Sequence, residues 1–184
     1  CSKDSLNNLY IASARAGNVI GGGDWAENRI VPDCVRALKN KNKIIIRNPN
    51  SKRPWQHVLE PLIGYLVLAE KLSTKSENFQ QAFNFGPKIE NNKNVLELVK
   101  KILEFWNGEY QISQNSDDFK ESKLLQINSD KSYQFLGWES IWDFSLSVEK
   151  TVKWYKDVEN KEEIVYERII EDFENYISSF NKKK

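Results

Sequence analysis

Methionine is absent from the 184 residues, cysteine occurs twice and histidine once. Cys1 and Cys34 are too few for a disulfide framework, and neither stands at metal-ligand spacing from His57. A reduced, cytoplasmic compartment is the default expectation. Net charge is scarce as well, since 27 Lys and Arg meet 26 Asp and Glu for a formal balance of +1. Bulk electrostatics therefore gives no drive toward nucleic acid or an acidic membrane, and any preference for anions must come from local clusters. No apolar run reaches the length of a membrane span, and the first residues are polar rather than signal-like. The pattern holds no Ser–His–Asp set, metal-ligand cluster or P-loop. The first residue is Cys1 rather than an initiator methionine, and the expectation is either a fragment of a longer protein or residues, such as methionines, missing from the sequence.

What is present is 40% hydrophobic, enough to fill one core, with strands alternating with helices. Leu9 to Ile20, rich in small and branched residues, predicts one strand buried on both faces and ended by Gly21-Gly22-Gly23-Asp24. Ile30 to Leu38 has helical apolar spacing, with Pro32 tolerable in its first turn. Lys43 to Arg47 predicts a short strand, followed by a polar loop to Arg53. Pro61 opens a helix over Glu60 to Leu72, and Gly86-Pro87 ends a strand over Ala82 to Phe85. Val95 to Trp106 is helical behind Asn94, a suitable cap. Tyr110 to Ile112 and Leu124 to Ile127 predict short strands, and Asp130 to Leu136 a short helix stopped by Gly137. Ser145 to Tyr155 and Glu162 to Phe180 are amphipathic helices, followed by a frayed tail. The short connections predict an α/β fold in a single compact unit over 1–184.

The densest chemistry lies in ARAGNVIGGGDW, Ala14 to Trp25, and in the arginines after it. Gly21 to Ala26 matches the G-x-G-x-x-A spacing of a dinucleotide turn, but its context does not fit. Glu27 to Arg29 and Pro32 intervene before the next helix, and Arg47 occupies the neighbourhood where an acidic residue would read ribose. The glycines instead suit a substrate-facing loop that needs close backbone approach. Asn18 precedes that loop, where its amide either ties two backbones together or meets a phosphate or sugar hydroxyl. Arg29, Arg47 and Arg53 fall around loops at strand ends. Alone each reads as a solvated charge. Together, beside glycines, they suit an anion at the carboxyl edge of an α/β sheet. Asn84, in Asn84-Phe85-Gly86, is either part of a turn or a further amide presented to a ligand. Trp55 and His57 read as structural residues.

ARAGNVIGGGDW, the block RIVPDCVRALKNKNKIIIRNPNSKRPWQHVLEPLIGYLVLAEKL, NFGP, and the later LGW and TVKWY resemble a known family from Leu9 to Tyr155. They are similar to the CDP-glucose 4,6-dehydratase branch of the extended short-chain dehydrogenases/reductases that modify nucleotide sugars. The resemblance implies the end of a Rossmann-type parallel sheet joined to a smaller C-terminal α/β substrate-binding domain, with the NAD-binding part outside this chain. It implies a nucleotide sugar as small-molecule partner, and NAD as a cofactor regenerated in each cycle. The implied reaction is oxidation at sugar C4, loss of water across C5 and C6 and return of hydride to C6, feeding deoxysugars of surface polysaccharide such as O-antigen. It also implies a homo-oligomer at full length, in the cytoplasm, and that these 184 residues are inactive on their own.

Residue by residue, Asn18 falls at the position that meets the substrate's pyrophosphate, Arg29 where a basic residue approaches it, and Arg53 on the family arginine that contacts phosphate. Asn84 matches the family's strand-end asparagine, and Arg47 is a nucleotide-side contact. Cys1-Ser2-Lys3 resembles the end of the family's Tyr-x-x-x-Lys motif, which makes Lys3 the candidate catalytic residue, with a family segment missing after Ser5. Leu124 and Asn128 stand where the family has tyrosine and aspartate. A nucleotide-sugar epimerase, a dehydratase for another nucleotide sugar, and a non-catalytic nucleotide-sugar-binding protein are the competing functions.

Overall fold

The computed structural model describes residues 9–113, 125–159 and 161–183. The fold is α/β with parallel strand pairs, as expected. Leu9 to Ile20 is not one strand, however. It divides at Gly17 into β1 (Ser13–Ala16) and β2 (Asn18–Ile20), which join different sheets. A β-carbon at Gly17 would lie 3.0 Å from the Pro54 carbonyl oxygen, so only glycine lets the chain cross so close. β1 pairs in parallel with β5 (Ala82–Phe85), placing Arg15 opposite Asn84. β2 pairs in parallel with β4 (Lys52–His57), whose other edge carries the antiparallel β6 (Asn92–Asn94). β3 (Ile44–Ile46) pairs in parallel with β7 (Tyr110–Ile112).

Other expectations need correcting. Ser13, Ala14 and Arg15 are exposed, so β1 is not buried on both faces, and among the described residues it has a strand neighbour on one edge alone. The polar loop after Arg47 is shorter than expected, since Lys52 already begins β4. Leu125 to Ile127 forms no strand; the Leu125 amide donates instead to the Lys52 carbonyl at 3.3 Å.

The helices follow their apolar periodicity. α1 (Ile30–Lys39) buries Val31, Cys34, Val35 and Leu38. Burial pushes the Cys34 thiol up to about 12, so it packs as an apolar group. α2 is Leu59–Ser73. α3 (Val95–Phe105) begins with a reciprocal capping box, in which the Glu97 amide donates to Asn94 Oδ1 and the Asn94 amide to Glu97 Oε2, both at 2.8 Å. α4 (Asp130–Leu136) ends at Gly137, whose φ of 66° is left-handed. α5 (Phe144–Asp157) is capped by Asp143, and α6 (Val165–Lys183) stays helical where a frayed tail was expected.

These elements form three clusters. α1, α3 and α5 enclose the largest with Ile44, Ile46 and Trp55. Leu68, Phe83, Phe85, Leu136 and Trp138 form a second, in which Gly64 admits the Phe85 ring to 2.2 Å of where a β-carbon would stand. Ile63, Trp142 and Tyr176 form the third, between α2 and α6.

Glu60, at 0% exposure, links α2 to the other two segments of that third cluster. Its carboxyl oxygens accept from the Ile141 amide at 3.0 Å, the Trp142 amide at 2.6 Å and the Tyr176 hydroxyl at 2.7 Å. Its main-chain carbonyl accepts from Trp138 Nε1 at 3.2 Å. Burial, then the Glu60 charge, push the Tyr176 hydroxyl well above its ordinary range, so it remains a donor. Glu60→Ala is expected to cost about 3–5 kcal/mol in urea denaturation, because it strands buried donors. Tyr176→Phe removes a single donor and should cost about 1–2 kcal/mol.

Candidate functional site

Strand register determines which predicted residues meet. Asn18 lies opposite Trp55, and Ile20 opposite His57. Alternate residues of a strand face the same side, so Arg53, Trp55 and His57 share a sheet face with Asn18 and Ile20. Arg53 is 6% exposed, and its Nη1 donates to the Lys52 carbonyl at 2.8 Å. Asn18 is half-buried, and no hydrogen bond engages its side chain among the described residues. Gln56 points from the opposite face, where its Nε2 donates to the Phe85 carbonyl at 2.8 Å and ties β4 to β5.

Arg29 and Arg47 form a second group, at the start of α1. Arg29 immediately precedes the helix and pairs with Asp24 at 3.3 Å. Asn28 adopts a left-handed φ of 62°, which asparagine tolerates, and its Oδ1 accepts from Arg47 at 3.4 Å. Arg47 also lies 3.9 Å from Asp33. The two arginine side chains remain 68% and 47% exposed, and ion pairs in such surroundings are weak enough for a ligand anion to replace.

The triple glycine is approached closely, but by Trp154 of α5. A β-carbon at Gly22 would fall 2.0 Å from Trp154 Cδ2, and one at Gly21 2.8 Å from Val58 Cγ1. The Tyr155 hydroxyl donates to the Asp24 carbonyl at 2.6 Å, and burial pushes it up to about 12, which keeps the proton in place. Arg36 donates to the carbonyls of Trp25 and Ala26 at 3.0 and 3.1 Å. The loop that carries Asp24 and Arg29 is thus held from below by α5 and from the side by α1. Sequence reasoning missed Trp154, Tyr155 and Gln56 as the residues that shape the site; TVKWY carries no local signal that its aromatics reach a loop so far away.

The Asn84 amide is engaged internally, with Nδ2 donating to the Asn128 carbonyl at 3.0 Å. Asn128 itself closes a turn into α4, its Oδ1 accepting from the Asp130 amide at 2.9 Å. Beside them lies a cavity of about 310 Å³, lined by Gly86, Asn92, Asn128, Tyr133, Trp138 and Ser140 among others, and by none of Asn18, Arg29, Arg47 or Arg53. Lys3 and Leu124 lie outside the described residues. Among the described residues no cluster of His, Cys, Asp or Glu could hold a metal, and no helix is long and apolar enough to cross a membrane.

His57 is structural. Its Nδ1 accepts from the Leu59 amide at 3.3 Å, and its ring packs 4.9 Å from that of Trp142. Burial, then the charge of Lys150, push it from 6.5 down to about 3. The unfolded chain therefore binds this proton first on acidification. Stability from the neutral ring is complete above about pH 6.5 and is lost as pH falls toward about 3. Denaturant titrations across that window should show a steeper acid loss in the unaltered chain than in His57→Gln, and the imidazole resonance should stay flat between about pH 5 and 8.

No family model matches the chain. It is 43% identical over 147 residues to the CDP-glucose 4,6-dehydratase of Salmonella typhimurium, a match covering 79% of this chain and 41% of that protein. The chain therefore spans less than half the length of this curated relative. The crystal structure of a dTDP-glucose 4,6-dehydratase from Bacillus anthracis, in complex with NAD, superposes with a TM-score of 0.67 at 20% identity, over 82% of this chain and 46% of that one. An epimerase from Methanothermobacter thermautotrophicus gives a TM-score of 0.68 at 20% identity, over 89% and 47%. The block carrying Asn18 and Arg53 on one sheet face lies in a chain similar in sequence to that CDP-glucose 4,6-dehydratase, and its fold is shared with solved nucleotide-sugar dehydratase and epimerase structures.

Proposed function

We propose that this chain carries the nucleotide-sugar-gripping portion of a CDP-glucose 4,6-dehydratase, which converts CDP-glucose to CDP-4-keto-6-deoxyglucose. The observation that supports this best is the common sheet face of Asn18 and Arg53, inside a sequence block resembling the Salmonella dehydratase. A neutral amide beside a buried guanidinium suits a diphosphate, which needs both a donor and a fixed positive charge. In this reading Arg29, exposed at the start of α1, is a further contact to the diphosphate, and Arg47, exposed nearby, a contact on the nucleotide side. The role of Asn84 is to hold the 128–130 turn against the end of β5.

NAD belongs to this reading through the relatives, whose solved structures include NAD complexes. When bound it takes up and returns the hydride. The described residues do not fit a dinucleotide cradle: Trp154 occupies the space beside Gly22, and α1 begins only at Ile30. The NAD site therefore falls to other residues in this reading. The uncovered β1, with Leu62 and Leu66 exposed on α2, suits a sheet continued by further parallel strands. In this reading the whole protein is cytoplasmic, assembles from like subunits and supplies a deoxysugar route to surface polysaccharide. A second reading, a nucleotide-sugar epimerase, draws on the epimerases that share the fold; chromatography of the whole protein's products from CDP-glucose separates the two.

Calorimetric titration of this chain with CDP tests the binding role. Saturable binding is expected, weakened about 10- to 100-fold in Arg53→Gln through loss of a charge-assisted contact. A folded chain that ignores millimolar CDP would overturn the proposal.

A further inference from the structure

β6 brings a residue to the site that no motif marked. Lys93 lies directly opposite Arg53 in the antiparallel β4–β6 pair. Residues so opposed project from the same face, here the face of Asn18. Among the described residues Lys93 has Glu97 as its ion-pair partner, at 4.0 Å, and the other oxygen of that carboxylate accepts from the Asn94 amide at 2.8 Å in the capping box. The Lys93 side chain is 37% exposed, so its ammonium can reach a ligand, whereas Arg53 is held by burial. Trp55 keeps the two strands in register by donating its indole N–H to the Lys93 carbonyl at 2.9 Å.

We propose that Lys93 is a further anion-binding residue of this site, taking the second phosphoryl group of a nucleoside diphosphate while Arg53 and Asn18 hold the first. This rests on the nucleotide-sugar reading above and sharpens it. Two cations fixed on facing strands favour a diphosphate over a monophosphate. The lysine, a point charge on a flexible stem, adapts to the phosphoryl group farther from the rigid arginine.

The experiment is calorimetric titration of the chain and its Lys93→Gln and Lys93→Arg variants with CDP, CMP and inorganic diphosphate. Lys93→Gln should weaken CDP and inorganic diphosphate about 5- to 20-fold, leave CMP within about twofold, and melt with the unaltered chain, since an exposed ion pair contributes little. Lys93→Arg should restore most of the affinity, which a merely structural role would not require. Lys93→Met, which keeps the aliphatic stem, replaces Lys93→Gln if that variant folds poorly. Unchanged CDP affinity in Lys93→Gln, or equal losses for CDP and CMP, would overturn the role of Lys93 and leave the nucleotide-sugar reading standing. Absence of CDP binding by the folded, unaltered chain would overturn both.

Discussion

The buried carboxyl group of Glu60 is the constraint on which the rest depends. A carboxyl at 0% exposure must be fully engaged by donors, and Ile141, Trp142 and Tyr176 supply them from two distant segments. Once made, these bonds fix where α2 starts relative to the segment before α5 and to α6. They also fix the exit of β4, because Glu60 follows His57 by one short step and His57 packs against the same Trp142. Arg53 lies on the same strand as His57. The position of the Arg53 guanidinium, the anion contact proposed above, is therefore set partly by the buried Glu60 carboxyl group.

The second constraint is the crossing at Gly17. The chain leaves the β1–β5 pair and enters β2–β4–β6 within one residue, which only a glycine against the Pro54 carbonyl allows. Gln56 then bridges the two sheets through the Phe85 carbonyl. These contacts place the end of β5, with Asn84 and Gly86, at a fixed distance from the strand that carries Arg53. Two sheets keep their relative position only if they cannot slide, and a glycine crossing plus one buried amide opposes that here.

Much of this was legible in the sequence, unevenly and for physical reasons. The helices read correctly because burial on one face writes itself as periodicity, and Asn94 and Gly137 act locally at their ends. The strands read less well. RPWQH carries no alternation, because β4 is buried on both faces from Arg53 to His57, and its proline argues against a central strand. β6 is three polar residues, so Lys93 could not be placed beside Arg53 before the ladder was known. Asn18, Arg29, Arg47 and Arg53 were all named from the sequence. Their division into a sheet-face pair and a pair at the start of α1 depends on register, which composition does not encode.

The glycine loop shows the same limit from the other side. Its composition demanded a close approach but could not say by what. Trp154, far along the chain, occupies the space beside Gly22, and Tyr155 anchors the next carbonyl but one. Under the proposed function the glycines therefore serve the ligand indirectly. By letting α5 press against the loop, they hold Asp24, and through it Arg29, in a defined place without a side chain of their own. A larger residue at Gly22 would have to displace Trp154, and the arginine at the start of α1 would lose its fixed carboxylate support before any contact with a ligand was touched. In this chain the residues proposed to bind the anion and the packing that positions them are separate sets, and the packing set is spread through α1, α2, α5 and α6.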